Sequence, residues 1–83
     1  MEKVLVEISV PAIDNSFDVF IPQKNKVSDV VLLVSRMVSE LSEERFKPNS
    51  STLLCDARTG DILDINLSVY EQEIRNGSKL MLI

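Results

Sequence analysis

Histidine is absent from this 83-residue chain, and cysteine occurs once, as Cys55. A lone thiol cannot form an internal disulfide, and such sparing use of cysteine is typical of a reducing compartment. Without histidine, the chain also lacks the ligand set of an ordinary zinc site and the general base of a Cys–His or Ser–His pair. We therefore expect a protein without enzymatic activity, bound metal or cofactor.

Basic residues and long apolar runs are also scarce. Nine Lys and Arg residues stand against 13 Asp and Glu residues, for a net charge of −4, and no basic cluster of the kind that binds nucleic acid or anionic lipid is present. The longest apolar run, residues 30–34, is far shorter than the roughly 20 residues of a membrane-spanning helix. Glu7 interrupts the apolar start, unlike a secretory signal. We expect a cytoplasmic protein that neither binds nucleic acid nor inserts into a membrane.

What is present is a normal share of aliphatic residues for a folded chain, with 45% hydrophobic and only 5% aromatic residues. Residues 1–83 are predicted to form a single domain around a core of Val, Leu and Ile. Residues 4–10 and 17–21 each alternate apolar with other residues, as half-buried strands do. Pro11 and Pro22 follow these stretches, and Asp14-Asn15 suits a turn. This pattern predicts a β-hairpin with a longer-than-minimal loop.

The next stretch predicts a helix over residues 27–41. Its apolar positions recur with the helical spacing i, i+3, i+4, i+7 over a length that is too long for a typical strand: Val27, Val30, Val31, Val34, Met37, Val38 and Leu41. Asn25 and Ser28 are both chemically able to cap it.

The remainder predicts a loop at 46–51, short strands at 52–55 and 62–63, a loop with a helical turn at 67–74, and a last strand at 79–83. The order is therefore ββαβββ. A single helix stripe must be buried on one sheet face, so we expect an α+β fold with one long helix packed on a mixed sheet of four to five strands. The last strand is predicted to be central.

The pattern Leu67-Ser68-x-Tyr70, followed by Ile74-x-Asn76-Gly77-x-x-Leu80-x-Leu82, resembles the C-terminal third of ubiquitin-like (β-grasp) domains. The hairpin and the helix fit the same order, so the resemblance covers essentially the whole chain. It departs from the pattern by two extra residues between Tyr70 and Ile74 and by a longer first hairpin loop. The resemblance implies a strand order of second, first, last, third, fourth. It also implies that Tyr70 packs against its loop and bonds the backbone through its hydroxyl.

Size and ending are most similar to the bacterial YukD/EsaB-like small ubiquitin-like proteins of type VII (ESX-like) secretion loci. This resemblance implies a non-enzymatic, cytoplasmic interaction module, an accessory component whose partner is a protein such as a membrane component or ATPase of the secretion machine. Ubiquitin-type modifiers and sulfur carriers need a mobile tail ending in Gly-Gly, whereas here the last residue is Ile83, so conjugation is not expected. The alternatives are an adaptor or regulatory subunit of another multiprotein complex, such as a multicomponent oxygenase, and a longer sulfur-carrier or modifier precursor.

Five apolar residues are predicted to point away from the core on one face of the sheet. Leu54 is included because Leu53 and Cys55 are taken to face inward. In the implied strand order the five lie on neighbouring strands, where they would form a docking surface for another protein or for a second copy of the chain: Leu5, Phe20, Leu54, Met81 and Ile83. Leu54 and Ile83 resemble counterparts of ubiquitin's own partner-binding patch. The alternative interpretation is scattered surface hydrophobes, which are common.

Three other features have simpler interpretations. Leu32 is an isolated apolar residue on the polar side of the helix. Asp56, Asp61 and Asp64 surround a turn without the ligand spacing of a calcium loop, so we expect solvated turn residues. Cys55 is expected to be a small buried residue.

Overall fold

The chain folds into one helix packed on a mixed four-stranded sheet, as a computed structural model describes it for residues 2–83. The elements are β1 (Lys3–Val10), β2 (Asn15–Pro22), α1 (Val27–Leu41), β3 (Leu54–Asp56) and β4 (Lys79–Leu82). The strand order is β2-β1-β4-β3, with β1 parallel to β4 and the other two pairs antiparallel. The predicted α+β fold with a central last strand is confirmed.

The β1–β2 hairpin turns through a single 3₁₀ turn, Pro11–Ile13. Asp14 follows in the left-handed region (φ 48°), and its N–H donates to the Pro11 carbonyl oxygen at 3.1 Å. Proline suits this position because its fixed φ is helical and its missing N–H is not needed there. The two strands then pair without a bulge from Val10–Asn15 to Lys3–Pro22, so each strand keeps one set of alternate residues toward the helix.

Helix α1 begins at Val27, as predicted, but neither Asn25 nor Ser28 caps it. The N–H groups of Val27 and Ser28 instead donate to the carbonyl oxygens of Leu67 and Ile65, at 2.8 and 3.2 Å. The unpaired donors of a helix N-terminus must find partners, and here the loop that leads to β4 supplies them. The helix start is therefore held by a segment about 40 residues later in the sequence, which the fold brings beside it.

The helix ends in a Schellman motif with glutamate in the left-handed position. The Glu44 N–H donates to the Ser39 carbonyl oxygen at 2.7 Å, and the Glu43 N–H donates to the Glu40 carbonyl oxygen at 3.1 Å. Glu43 has φ 55°, at the position where helices prefer glycine. Its side chain also adds negative charge at the negative end of the helix dipole.

Glu43→Gly is expected to raise the free energy of unfolding by about 0.5–1 kcal/mol, because glycine adopts positive φ without a Cβ clash. For a domain of this size that corresponds to a rise of roughly 2–8 °C in the melting temperature, measurable by circular dichroism. The control is Glu40→Gly, at an exposed position inside the helix, which should lower stability by about 1 kcal/mol. A loss of stability in both variants would contradict this account.

The core lies between α1 and the inner face of the sheet. Each strand and the helix contribute aliphatic side chains, with Phe46 after the helix closing one end: Val4, Val6, Ile8, Val10, Val19, Ile21, Val27, Val30, Val34, Val38, Leu54, Leu80 and Leu82. The loop segment 63–74 adds Leu63, Val69 and Ile74. The predicted aliphatic core is confirmed.

Leu54 belongs to this core, so the prediction that it faces outward is wrong. It pairs with Leu82 across β3–β4, and its side chain is only 2% exposed. Directly opposed residues in an antiparallel pair share a face, and Leu82 is fully buried. Cys55 is buried, as predicted, but it pairs with Met81 and so belongs to the opposite face.

Two further expectations differ from the structure. The strand predicted at 62–63 is reduced to a single bridge between Ile62 and Cys55. Tyr70 is 67% exposed, so its ring does not fill the loop as the resemblance implies. The neighbouring Val69 is fully buried instead, because the helical turn that starts at Ser68 directs residue 69 inward.

That turn is held by a capping box. The Ser68 hydroxyl oxygen accepts from the Glu71 N–H, and the Glu71 carboxylate accepts from the Ser68 N–H, both at 3.0 Å. Such reciprocal bonds satisfy two otherwise unpaired donors. The predicted short helical turn in 67–74 therefore corresponds to a series of hydrogen-bonded turns.

Candidate protein-binding surface

The sheet face opposite α1 is not covered by another element in residues 2–83, and we call it the open face. Alternate residues of each strand point to it, because successive side chains in a strand point to opposite sides. On β1 and β2 these residues include Leu5, Glu7, Asp18 and Phe20, which pair as Leu5–Phe20 and Glu7–Asp18. The open face is therefore partly apolar and partly charged.

One apolar group on this face consists of Leu5 and Phe20, which we call the hairpin group. The two residues lie directly opposite each other, and Phe20 is 58% exposed although it is aromatic. The Leu5 N–H donates to the Asn76 side-chain oxygen, and the Gly77 N–H donates to the Leu5 carbonyl oxygen, both at 2.8 Å. These bonds anchor β1 to the turn before β4 at this level of the sheet.

A larger apolar group surrounds Cys55 on the other half of the face, and we call it the central group. Leu53 and Ile83 exchange backbone hydrogen bonds of 2.7 and 2.9 Å, which extends the β3–β4 register by one pair and puts both side chains on the open face. Cys55 pairs with Met81 on one side and with Ile62 on the other. The central group is Leu53, Ile62, Met81 and Ile83, with Ile62 61% exposed.

Cys55 lies at the base of the central group with its thiol covered. Burial raises the pKa of this thiol above its ordinary value, because desolvation disfavours the thiolate. A buried, protonated thiol is a poor nucleophile and a poor metal ligand. Cys55 therefore acts as a small packing residue beneath the surface.

A charged row separates the two apolar groups. Asp18 on β2 lies opposite Glu7 on β1, and Glu7 lies beside Lys79 on β4. This row is two residues from Leu5 and Phe20 along the strands and two residues from Met81 in the opposite direction. With a rise of about 3.3 Å per residue, the two apolar groups lie roughly 13 Å apart along the strands.

The five residues predicted to form one patch are therefore divided by the structure. Leu5 and Phe20 form the hairpin group, Met81 and Ile83 belong to the central group, and Leu54 is in the core. The prediction missed Leu53 and Ile62. A strand of three residues is too short for alternation to show which residues face the core. The segment also contains two consecutive leucines, Leu53 and Leu54, either of which could face outward. No signal in the sequence therefore identified Leu53.

Elsewhere on the surface, two of the acidic turn residues accept hydrogen bonds from backbone N–H groups two residues later in the chain. The Asp56 carboxylate accepts from the Arg58 N–H at 2.8 Å, and the Asp64 carboxylate accepts from the Asn66 N–H at 2.9 Å. Across residues 2–83, no group of three or more His, Cys, Asp or Glu side chains is arranged to hold a metal ion. Nor does that part of the chain contain a helix long and apolar enough to cross a membrane.

Three leucines of α1 are exposed, Leu32, Leu33 and Leu41. Leu32 is 70% exposed and its neighbours in space along the helix include Arg36 and Ser35. A single leucine among polar residues is ordinary on a protein surface. The prediction took Leu32 as an isolated apolar residue, but the adjacent Leu33 is also exposed, at 37%.

No protein-family model matches the sequence, and no curated protein matches it. Solved structures do match. The EccD5 ubiquitin-like domain from Mycobacterium xenopi is 25% identical and superposes with a TM-score of 0.81, over 100% of this chain and 94% of that one. The ubiquitin-like domain of the type VII secretion protein EccD1 from Mycobacterium tuberculosis is 16% identical, with a TM-score of 0.81 over 100% and 99% of the two chains.

A chain of an ESX-5 inner membrane complex is a third match, at 20% identity and a TM-score of 0.73. The match covers all of the present chain and 21% of that chain, so the likeness concerns one domain of a larger protein. At such identities the likeness of these last two structures concerns the fold. The chain thus has the ubiquitin-like fold, and its structural neighbours are ubiquitin-like domains that include the EccD domains of type VII secretion systems.

Proposed function

We propose that this chain is a non-enzymatic interaction module of a bacterial type VII (ESX-like) secretion machine, of the YukD/EsaB kind, acting on the cytoplasmic side. The observation that carries the proposal is the central group, an apolar surface on the β4–β3 half of an uncovered sheet. An exposed apolar cluster on a small protein usually marks a contact with another molecule. The 25% identity to the EccD5 domain over nearly the full length of both chains supports the choice of machine.

The proposed partner is a protein component of the same machine, such as its FtsK/SpoIIIE-type ATPase or a membrane component. The match to part of a chain in an ESX-5 inner membrane complex supports this choice, because the matched region belongs to a protein of that assembly. The central group suits docking physically, since Met81 and Ile83 are held in the hydrogen-bonded β3–β4 register and Ile62 is exposed beside them. Binding there would bury apolar area without requiring the backbone to move.

The proposal is tested with the double variant Ile62→Asp/Met81→Asp. We expect its affinity for the ATPase or membrane component encoded at the same locus to fall at least 30-fold, on the order of the loss of one hot-spot residue. Affinity is measured by isothermal titration calorimetry with purified proteins. The far-ultraviolet circular dichroism spectrum should stay that of the native protein, because Ile62 is exposed and Met81 is half-buried on the open face.

Leu32→Asp is the matched control, since it places the same charge on the exposed side of α1 and should leave the affinity unchanged. Unchanged binding by the double variant, or loss of binding by Leu32→Asp, would move the docking surface to the helix. A locus without an FtsK/SpoIIIE-type ATPase and small helical WXG-motif proteins would instead favour an adaptor role in another complex.

A further inference from the structure

We infer that the open face binds a basic partner segment, in which a Lys or Arg side chain lies between apolar side chains that contact the hairpin group and the central group. This inference rests on the proposed function, because it takes the open face as the docking surface. It adds the chemistry of the occupant, which the apolar groups alone do not define.

Glu7 and Asp18 lie directly opposite each other on β1 and β2. The Glu7 N–H donates to the Ser78 carbonyl oxygen at 3.0 Å, so this residue directs its backbone bonds toward β4. Glu7 and Asp18 are therefore a non-hydrogen-bonded pair between β1 and β2, the kind with Cα atoms only about 4.5 Å apart and with the closer side chains. Like charges in directly opposed positions destabilise a sheet, which leaves a site where an added positive charge is favourable.

The protein itself neutralises only part of the negative charge in this row. Lys79 lies beside Glu7 in the parallel β1–β4 register, so one cation accompanies two carboxylates and the row has a net charge of −1. Asp18 lies two strands away from Lys79, about 10 Å, and its side chain is exposed on the edge strand. A cation supplied by a partner would therefore be most favourable beside Asp18 and Glu7.

Along the strands of the open face, the charged row lies between the hairpin group and the central group. The charged row lies about 7 Å along the strands from each apolar group. A segment that covers both groups must cross the row, and an apolar side chain placed there would desolvate two carboxylates that have only Lys79 as a nearby cation. A Lys or Arg at that position retains apolar contact through its methylene chain and donates to the carboxylates.

A second copy of the chain is a poorer occupant. Each copy brings a row with an excess of negative charge and a net charge of −4, so face-to-face association brings like charge together. Two surfaces of opposite charge attract each other and associate more readily, whereas two surfaces of like charge repel each other. A basic partner is therefore favoured over a homodimer.

The test uses short random peptides displayed on phage and selected on the immobilised full chain at low salt. We expect the enriched peptides to contain Lys or Arg flanked by apolar residues. Synthetic copies are then titrated by fluorescence anisotropy against the wild type, Glu7→Gln/Asp18→Asn, and Ile62→Asp/Met81→Asp. The neutral variant keeps the shape of both side chains and should weaken binding at least 10-fold at low salt, with a smaller difference at high salt because ions screen surface charges.

The charge-matched control is Asp29→Asn/Glu40→Gln, which removes the same two charges from exposed positions of α1 and should change affinity less than about 2-fold. Equal binding to the wild type and the Glu7→Gln/Asp18→Asn variant, with loss in Ile62→Asp/Met81→Asp, would overturn the basic partner and leave the proposed docking face intact. Equal binding to all variants would contradict the docking face itself. Enrichment of peptides without Lys or Arg, or a stable homodimer of the wild type on size-exclusion chromatography, would also overturn the inference.

Discussion

Leu54→Asp is expected to unfold the domain, whereas Leu53→Asp, one residue earlier, is expected to leave it folded. Leu54 packs in the core beside Leu82 with 2% of its surface exposed, so the variant buries a carboxylate with no positive partner. Burial of an unpaired charge can lower the free energy of unfolding by more than about 4–5 kcal/mol. The whole stability of a domain of this length is about 4–12 kcal/mol, so little or none would remain.

Leu53 tolerates the same charge because it is half-buried and points to the open face with Ile83. We expect Leu53→Asp to lose about 1 kcal/mol of stability or less and to lose affinity for the proposed partner. Circular dichroism and urea unfolding measure the first effect, and calorimetry with the partner measures the second. A folded Leu54→Asp together with an unfolded Leu53→Asp would show that β3 has the opposite phase.

Leu82→Ala is expected to lower the free energy of unfolding by about 3 kcal/mol, within the range of large-to-small changes in a core. Leu82 is fully buried on β4, and that strand lies between β1 and β3 with neighbours on both sides. The cavity would open in the core beneath a central strand, where strands on both sides limit how far the surrounding side chains can move in to fill it. The melting temperature should fall by roughly 12–24 °C.

Met81→Ala is the neighbouring control. Met81 is half-buried on the open face, so the loss should be about 1 kcal/mol or less, while binding through the central group should weaken. Urea denaturation at equilibrium measures both variants. A shift in melting temperature of only a few degrees for Leu82→Ala would mean that the end of the chain is loosely attached rather than a central strand.

The elements with long, regular patterns could be predicted from the sequence. The hairpin follows from alternation over residues 4–10 and 17–21, bounded by prolines. The helix follows from seven apolar positions with one period, and its predicted bounds of 27–41 are those observed. A long pattern predicts an element reliably because every turn of a helix, or every pair of strand residues, must bury the same face. One residue that departs from the pattern therefore does not change the prediction.

Short elements and loop residues could not be predicted in the same way. β3 has three residues, which is fewer than two full alternations. The sequence therefore predicted the wrong sheet face for Leu54, which is in the core, and for Cys55, which is on the open face. Tyr70, which the resemblance implied to be packed against its loop, is exposed, and the neighbouring Val69 is buried instead. For such segments the burial of a side chain depends on which distant residue lies opposite, not on neighbours in sequence.

The sequence by itself determined the class of the fold, the aliphatic core and the central place of the last strand, since these depend on period and composition that are written along the chain. Tertiary structure alone decided the shape of the candidate surface. The β1–β4 register puts Lys79 beside Glu7, and the β3–β4 register puts Leu53 rather than Leu54 on the open face. Register is a relation between strands that are far apart in sequence, so only the assembled sheet divides the apolar residues into two groups with a charged row between them.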